Sequence, residues 1–136
     1  MKDRYLIFVI RALASISLAA DTPNFAGEYA DKRFLNGQAV FQMSLEQGGK
    51  AVSVWFSAGY NDGHGAAPEA SGTGKVTGKG GVDFKFEDSF GNAGTGTITR
   101  AGSDIIVSIK PIRVTDSRCL EFYLESIHLK RVGKKS

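Results

Sequence analysis

Apolar and polar residues alternate one by one through much of this chain, and glycine interrupts the alternation at short intervals. Phe41, Met43 and Leu45 alternate with Gln42, Ser44 and Glu46, and Val52, Val54 and Phe56 with Ser53, Trp55 and Ser57. Val82, Phe84 and Phe86 alternate with Asp83, Lys85 and Glu87, and Ile105, Val107 and Ile109 with Ile106, Ser108 and Lys110. A period of two sends successive side chains to opposite faces of an extended backbone, so each segment reads as a half-buried strand. Asn36-Gly37, Gly48-Gly49, Gly80-Gly81 and Gly102-Ser103 lie between such segments and supply the positive-φ positions that tight turns need. Segment 95–100, rich in Thr, is a weaker strand, and 73–77 a weaker and short one. With 25–32 at the start and 122–131 at the end, about eight strands fit the chain.

No segment calls for a helical crossover, so the expected fold is all-β, an antiparallel meander. About eight such strands lose their exposed edges by closing into an up-and-down barrel. An open two-sheet sandwich is the alternative. The last segment carries two patterns. Leu120, Tyr123, Leu124 and Ile127 fit helical spacing, with Asp116 in the N-cap position. Phe122 and Leu124 alternate in one phase and Ile127 and Leu129 in the other, which one inserted residue in a strand explains. The bulged strand is the preferred reading.

Residues 1–20 differ from the rest. Lys2 and Arg4 precede an apolar run from Tyr5 to Ile10, and after Arg11 the chain is small and apolar as far as Ala20. Small residues just before Asp21-Thr22-Pro23 complete the layout of a secretory signal peptide, which is too short for a membrane span. The expectation is an exported protein, periplasmic or extracellular, with residues 1–20 removed and 21–136 forming one β-barrel domain. The chain's formal charge of +3 then loses its meaning as a nucleic-acid signal. Three of the basic residues lie in the leader, and four more (Lys130, Arg131, Lys134, Lys135) in the last seven positions. Residues 21–129 carry 10 basic against 13 acidic side chains, a balance that repels phosphate.

The two ends of the barrel domain carry a resemblance. Gly27-Glu28-Tyr29 near the start and Leu129-Lys130-Arg131 near the end resemble the pattern of calycin-type barrels, the lipocalins, fatty-acid-binding proteins and avidin-like proteins. In that group a glycine and an aromatic, usually Trp, lie on the first strand, and a basic residue of the closing strand packs across the ring. The resemblance implies a closed barrel, sealed by Gly27, Tyr29 and Arg131, that binds rather than catalyses. Tyr29 stands where the group usually has Trp. Ser57-Ala58-Gly59-Tyr60 also resembles the Ser-Gly/Tyr loop motif of small secreted bacterial lysozyme inhibitors, from which no residue role is carried over.

Segment 58–74 has no periodicity over about fifteen residues, longer than a hairpin requires, and long loops are disproportionately functional. It holds Tyr60, Asn61, Asp62, His64 and Glu69, which with Trp55 are the candidate contacts to a partner. Asp62 and His64 are too few for a metal site, and no cofactor is expected. Asp88, Asn92 and Gly91 read as a local turn, with Phe90 capping the core. Cys119, the one cysteine, reads as a buried free thiol. No nucleophile elbow or phosphate loop is present, so an enzyme is not expected. The leading expectation is an exported protein that engages a protein partner, inhibitor-like, through the glycine-rich loop. A carrier of a small apolar ligand inside the barrel is the alternative, and an unrecognised enzyme a third. N-terminal sequencing of the exported protein is expected to begin near Asp21; a product starting at Met1 overturns the leader.

Overall fold

Strands β1 (Gly27–Arg33), β2 (Ala39–Gly48), β3 (Ala51–Tyr60), β4 (Glu69–Val76), β5 (Val82–Asp88), β6 (Ala93–Ala101), β7 (Asp104–Arg113) and β8 (Ile127–Gly133) follow one another along the chain. They come from a computed structural model that describes residues 22–133, so the expected leader and the last three residues lie outside the described residues. Each strand pairs antiparallel with its neighbours in sequence, and β8 returns to β1. The sheet is therefore a single closed up-and-down barrel and not the open sandwich. The seam between β7 and β8 is short, three residue pairs from Ile105–Leu129 to Val107–Ile127. Beyond it the Ile109 N–H donates to the Leu124 carbonyl at 2.9 Å, and Pro111 offers no N–H to a stray strand.

The alternation becomes an inside and an outside. Phe41, Met43 and Leu45 of β2, Val54 and Phe56 of β3, and Ile105, Val107 and Ile109 of β7 are buried. Rings fill the interior in contact: Phe34 with Phe41 at 5.4 Å between centroids, Phe41 with Phe56 at 5.4 Å, and Phe56 with Phe86 at 5.2 Å. Full burial of one such side chain is worth roughly 1.5–3 kcal/mol.

Strands β4 and β6 make room for those rings. Gly74 of β4 and Gly96 of β6 flank Phe84 of β5 in register, and Gly72 and Gly94 flank Phe86. A Cβ on Gly72 would overlap the Lys85 carbonyl, and one on Gly96 the Phe84 ring. The inward row of β4 is Ala70, Gly72, Gly74 and Val76, where small residues hide the period of two. The strand is eight residues long rather than short, and β3 runs on to Tyr60. The expected loop over 58–74 therefore shrinks to 61–68. Ser57, Ala58, Gly59 and Tyr60 pair with Gln42, Phe41, Val40 and Ala39, so the segment that resembled an inhibitor loop is strand.

One end is sealed as the resemblance implied. Tyr29 and Arg131 face each other across β1 and β8, and the guanidinium lies 5.2 Å from the ring centroid. Arg131 also donates to the Ala26 carbonyl at 3.3 Å, and a Cβ on Gly27 would sit 2.5 Å from its Nη1. Phe25 closes this end, with Arg100 over its ring at 5.0 Å, its N–H bonded to Gln47 Oε1 and its carbonyl accepting from the Tyr29 hydroxyl. Burial raises the Tyr29 pKa above its ordinary value against the pull of Arg131 and Arg100.

The opposite end is covered by the helical turn α1 (Phe34–Gly37) and a 3-10 helix over Ser117–Phe122. Leu35 and Asn36 adopt left-handed backbone in α1, at φ 53° and 58°, and Gly37 follows at 87°. The preferred bulged strand over 122–131 does not form. Asp116 caps the 3-10 helix by accepting from the Arg118 N–H at 3.0 Å, and β8 begins only at Ile127. The phase switch marks the passage from a helix packed on Phe122 to a strand packed on Ile127 and Leu129.

Gly72→Ala and Gly96→Ala are each expected to destabilise the protein by about 1–3 kcal/mol or more, because the added methyl has no free volume. Gly78→Ala, in open space at the β4–β5 turn, is expected to be neutral or slightly stabilising. Urea denaturation of the three variants checks this; equal effects at all three positions refute the packing account.

Candidate functional site

Alternate connections of an up-and-down barrel share one end. The β1–β2 turn, the 61–68 loop, the β5–β6 turn and the β7–β8 connection therefore gather at the end covered by the 3-10 helix. The 61–68 loop is pinned there from both sides. Asn61 donates from its N–H to the Gln38 carbonyl and from its side chain to the Gly37 carbonyl, each at 2.9 Å. At the far side the Ala58 N–H bonds to the Pro68 carbonyl at 3.1 Å, and Ala66 is buried.

The tip between these anchors is a compact cluster. Gly63 and Gly65, at φ 79° and 72°, turn the backbone so that Asp62 and His64 come together. The Asp62 carboxylate accepts from the His64 N–H at 3.1 Å and from its ring Nδ1. The His64 backbone N–H and then its ring hold the Asp62 carboxyl below its ordinary pKa. The imidazole stacks on Tyr60 at 4.1 Å between centroids, with 22° between the planes. Tyr60 in turn lies 5.4 Å from Phe122, with the Glu121 carboxylate near its hydroxyl. The Glu121 carboxylate, with burial, raises the Tyr60 pKa.

The six candidate residues thus divide. Tyr60, Asp62 and His64 form one cluster, with the Asp62 and His64 side chains 72% and 61% exposed. Asn61 is a strut between two connections. Glu69 starts β4 on the outer face, and its backbone exchanges bonds with Ser89 of the β5–β6 turn. Trp55 is not brought to the loop. It lies mid-strand on the outer wall, five residues from Tyr60 and thus roughly 17 Å along extended backbone. Glu121 was not identified from sequence, because a partner 61 positions from Tyr60 leaves no local pattern.

Beneath the tip lies a buried polar network that sequence resolved only as a turn. Asp88 accepts from the Phe90 and Asn92 N–H groups and the Asn92 side chain, each at 2.9 Å, and from the Tyr123 hydroxyl at 2.6 Å. Asn92 Oδ1 accepts from the Thr115 and Asp116 N–H groups at 2.7 and 2.9 Å, which ties the 3-10 helix to the barrel. Gly91 takes φ 84°, and Phe90 packs on the core under the Arg118 guanidinium. Cys119 is a buried free thiol whose pKa burial, then the Asp88 and Asp116 charges, push up to about 11. Among the described residues no group of three or more His, Cys, Asp or Glu side chains is placed to hold a metal ion.

Compared with known proteins, the chain matches no family model, no curated sequence and no solved structure.

Burial works to raise the Asp88 pKa, but the bonds from Tyr123 and Asn92 outweigh it and hold it below the ordinary 3.8. A carboxyl depressed in the folded state contributes stability that is present above pH ~3.8 and lost as the pH falls through the folded value. Asp88→Asn places an amide donor against existing donors and is expected to cost about 1–3 kcal/mol at pH 7. The gap to the unaltered protein is expected to narrow below about pH 4. Denaturant titrations at pH 7 and pH 3 measure it; a gap unchanged at pH 3 removes Asp88 ionisation from the account.

Proposed function

We propose that this is an exported, non-catalytic binding protein of calycin-like architecture that engages a protein partner through the Tyr60–Asp62–His64 tip. The observation that carries the reading is the tip's preorganisation. Asp62 locks His64, Tyr60 stacks beneath it, and Asn61 and Pro68 fix the loop's ends. A loop already held in one conformation loses little entropy on binding, so its exposed charges convert to affinity efficiently. The tip projects beside the 3-10 helix, which suits insertion into a partner's cleft in the manner of an inhibitor.

The packed interior favours this over the carrier. Rings of Phe34, Phe41, Phe56, Phe86, Phe122 and Tyr123 occupy the space that a carried apolar ligand would need.

The purified protein, immobilised, is expected to retain a partner from the exported proteins of the cells that make it. Asp62→Ala with His64→Ala is expected to weaken that retention at least tenfold while leaving the thermal midpoint within about 2 °C, since both side chains are exposed. Retention unchanged in the double variant overturns the tip as the contact.

A further inference from the structure

Trp55 is the chain's one tryptophan, and half of its surface is open to solvent. Its surroundings on the outer wall are unusual for an exposed indole. Ser44 of β2 and Ser71 of β4 lie opposite it on the two flanking strands. Ser53 and Ser57 are its neighbours on the same face of β3, two positions to either side. Cross-strand and same-face neighbours normally cover a large aromatic on a sheet. Here all four are serine: Ser44 is buried and its hydroxyl donates to the Glu28 carboxylate at 2.6 Å, while Ser53, Ser57 and Ser71 place small hydroxyl side chains along the margin of the half-exposed indole.

The wall beside it is concave. A hollow of about 360 Å³ is lined by Trp55, Ser44, Glu46, Ser53 and Ser71. A wider groove of about 1030 Å³ adjoins it across the Ser53–Thr73 pair and runs over β4, β5 and β6. Thr73, Thr95 and Thr97 line that groove between Lys75, Lys85 and Asp83. Gly74 and Gly96, which lie in register with Phe84 on either side, line the floor of this groove.

We propose that this wall, from Trp55 across β4 to β6, is a binding site for a hydroxyl-rich, uncharged oligosaccharide. A pyranose ring presents polarised C–H bonds on its faces and hydroxyl groups around its rim. The faces pack on the electron-rich face of an indole, and the rim exchanges hydrogen bonds with Ser, Thr, Lys and Asp side chains. The Trp55 serine ring and the Thr-lined groove supply both in one surface. Strands β3 to β6 span about 14 Å at the usual inter-strand spacing, which suits a chain of sugars over a single one.

Other ligand classes fit less well. Lys75 and Lys85 are offset by Asp83 and Glu46, so no single charge sign recruits a polyanion. A quaternary ammonium cage needs several rings around the cation, and one indole does not make one. The exposed aliphatic residues Ile112, Val114, Leu120, Leu124 and Val132 lie on other elements, so the wall lacks the apolar centre typical of a protein contact.

The single tryptophan is its own reporter. Cellohexaose and chitohexaose, titrated separately into the purified protein, are the probes. At least one is expected to produce a saturable blue shift of Trp55 emission and to protect it from iodide quenching, with Kd between about 10 μM and 1 mM. By calorimetry, Trp55→Ala is expected to weaken binding at least tenfold, and Ser71→Val, which suits a strand, several-fold. Asp62→Ala with His64→Ala is expected to leave it unchanged, which separates this site from the loop tip. The proposal is overturned if neither hexasaccharide alters the emission or the quenching, or if Trp55→Ala binds like the unaltered protein. It is also overturned if the Asp62/His64 variant abolishes sugar binding. Loss of protein capture by Trp55→Ala, with both sugars inert, would make the wall a protein contact instead.

Discussion

The interior of an eight-stranded barrel has a volume set by strand number and tilt, and side chains must fill it without excess. In this protein that constraint is met by pairing the largest side chains with none. Phe84 and Phe86 point inward from β5, and each is flanked on both neighbouring strands by a glycine. A methyl at Gly96 would enter the Phe84 ring, and methyls at Gly72, Gly74 and Gly94 would run into the backbone of the adjoining strand; shorten the rings and a void opens where β4 and β6 have nothing to offer. The aromatic contacts continue from Phe86 through Phe56 and Phe41 to Phe34, so this local matching connects to the cover of the far end. A barrel solved in this way has a filled centre, which leaves its ends and outer wall as the surfaces open to solvent.

The two ends are closed by different physics. At one, the Arg131 guanidinium lies over Tyr29 and bonds the chain leading into β1, while Arg100 covers Phe25. Cations over rings shield apolar surface and still keep their own contact with water. At the other end the cover is a 3-10 helix that buries Cys119 and Phe122, and buried hydrogen bonds to Asp88 and Asn92 hold it down. Such a network is satisfied only when every member is in place, so the helix docks in one position. Tyr60 rests on Phe122 of that helix, which carries the fixed position up to the loop tip.

Strand count, antiparallel order and barrel closure were legible in sequence because an apolar side chain every second residue has few other uses. The seal of Gly27, Tyr29 and Arg131 was legible only through a resemblance, since its parts lie about a hundred residues apart. What failed has physical causes. In β4 the inward positions are Ala70, Gly72, Gly74 and Val76, and a glycine placed for close packing reads like a glycine placed for a turn. That ambiguity, with Gly59 near the end of β3, stretched the 61–68 loop to 58–74. Near the end, Phe122 and Tyr123 are buried by a 3-10 helix and Ile127 by a strand, and a change of element mimicked a bulge. The site residues were half legible. Asp62 and His64 are two positions apart and find each other locally, whereas Glu121 reaches Tyr60 only through the fold.

The separation of Trp55 from the tip follows from parity. Positions 52, 54, 56 and 58 of β3 face the interior, so 60 leans inward and 55 must face out. Tyr60 is therefore coupled to the core through Phe122, and substituting it disturbs packing and contact together. Trp55 has serines at its cross-strand and same-face positions and shares its hollow with Glu46. Half of its indole stays open to water, and an exposed tryptophan risks nonspecific association. Such a side chain gains contact when its face is covered. The groove next to it, lined by Gly74 and Gly96, which flank Phe84, supplies the surface on which a covering ligand would extend. The packed interior and the outer groove thus share the same glycines of β4 and β6.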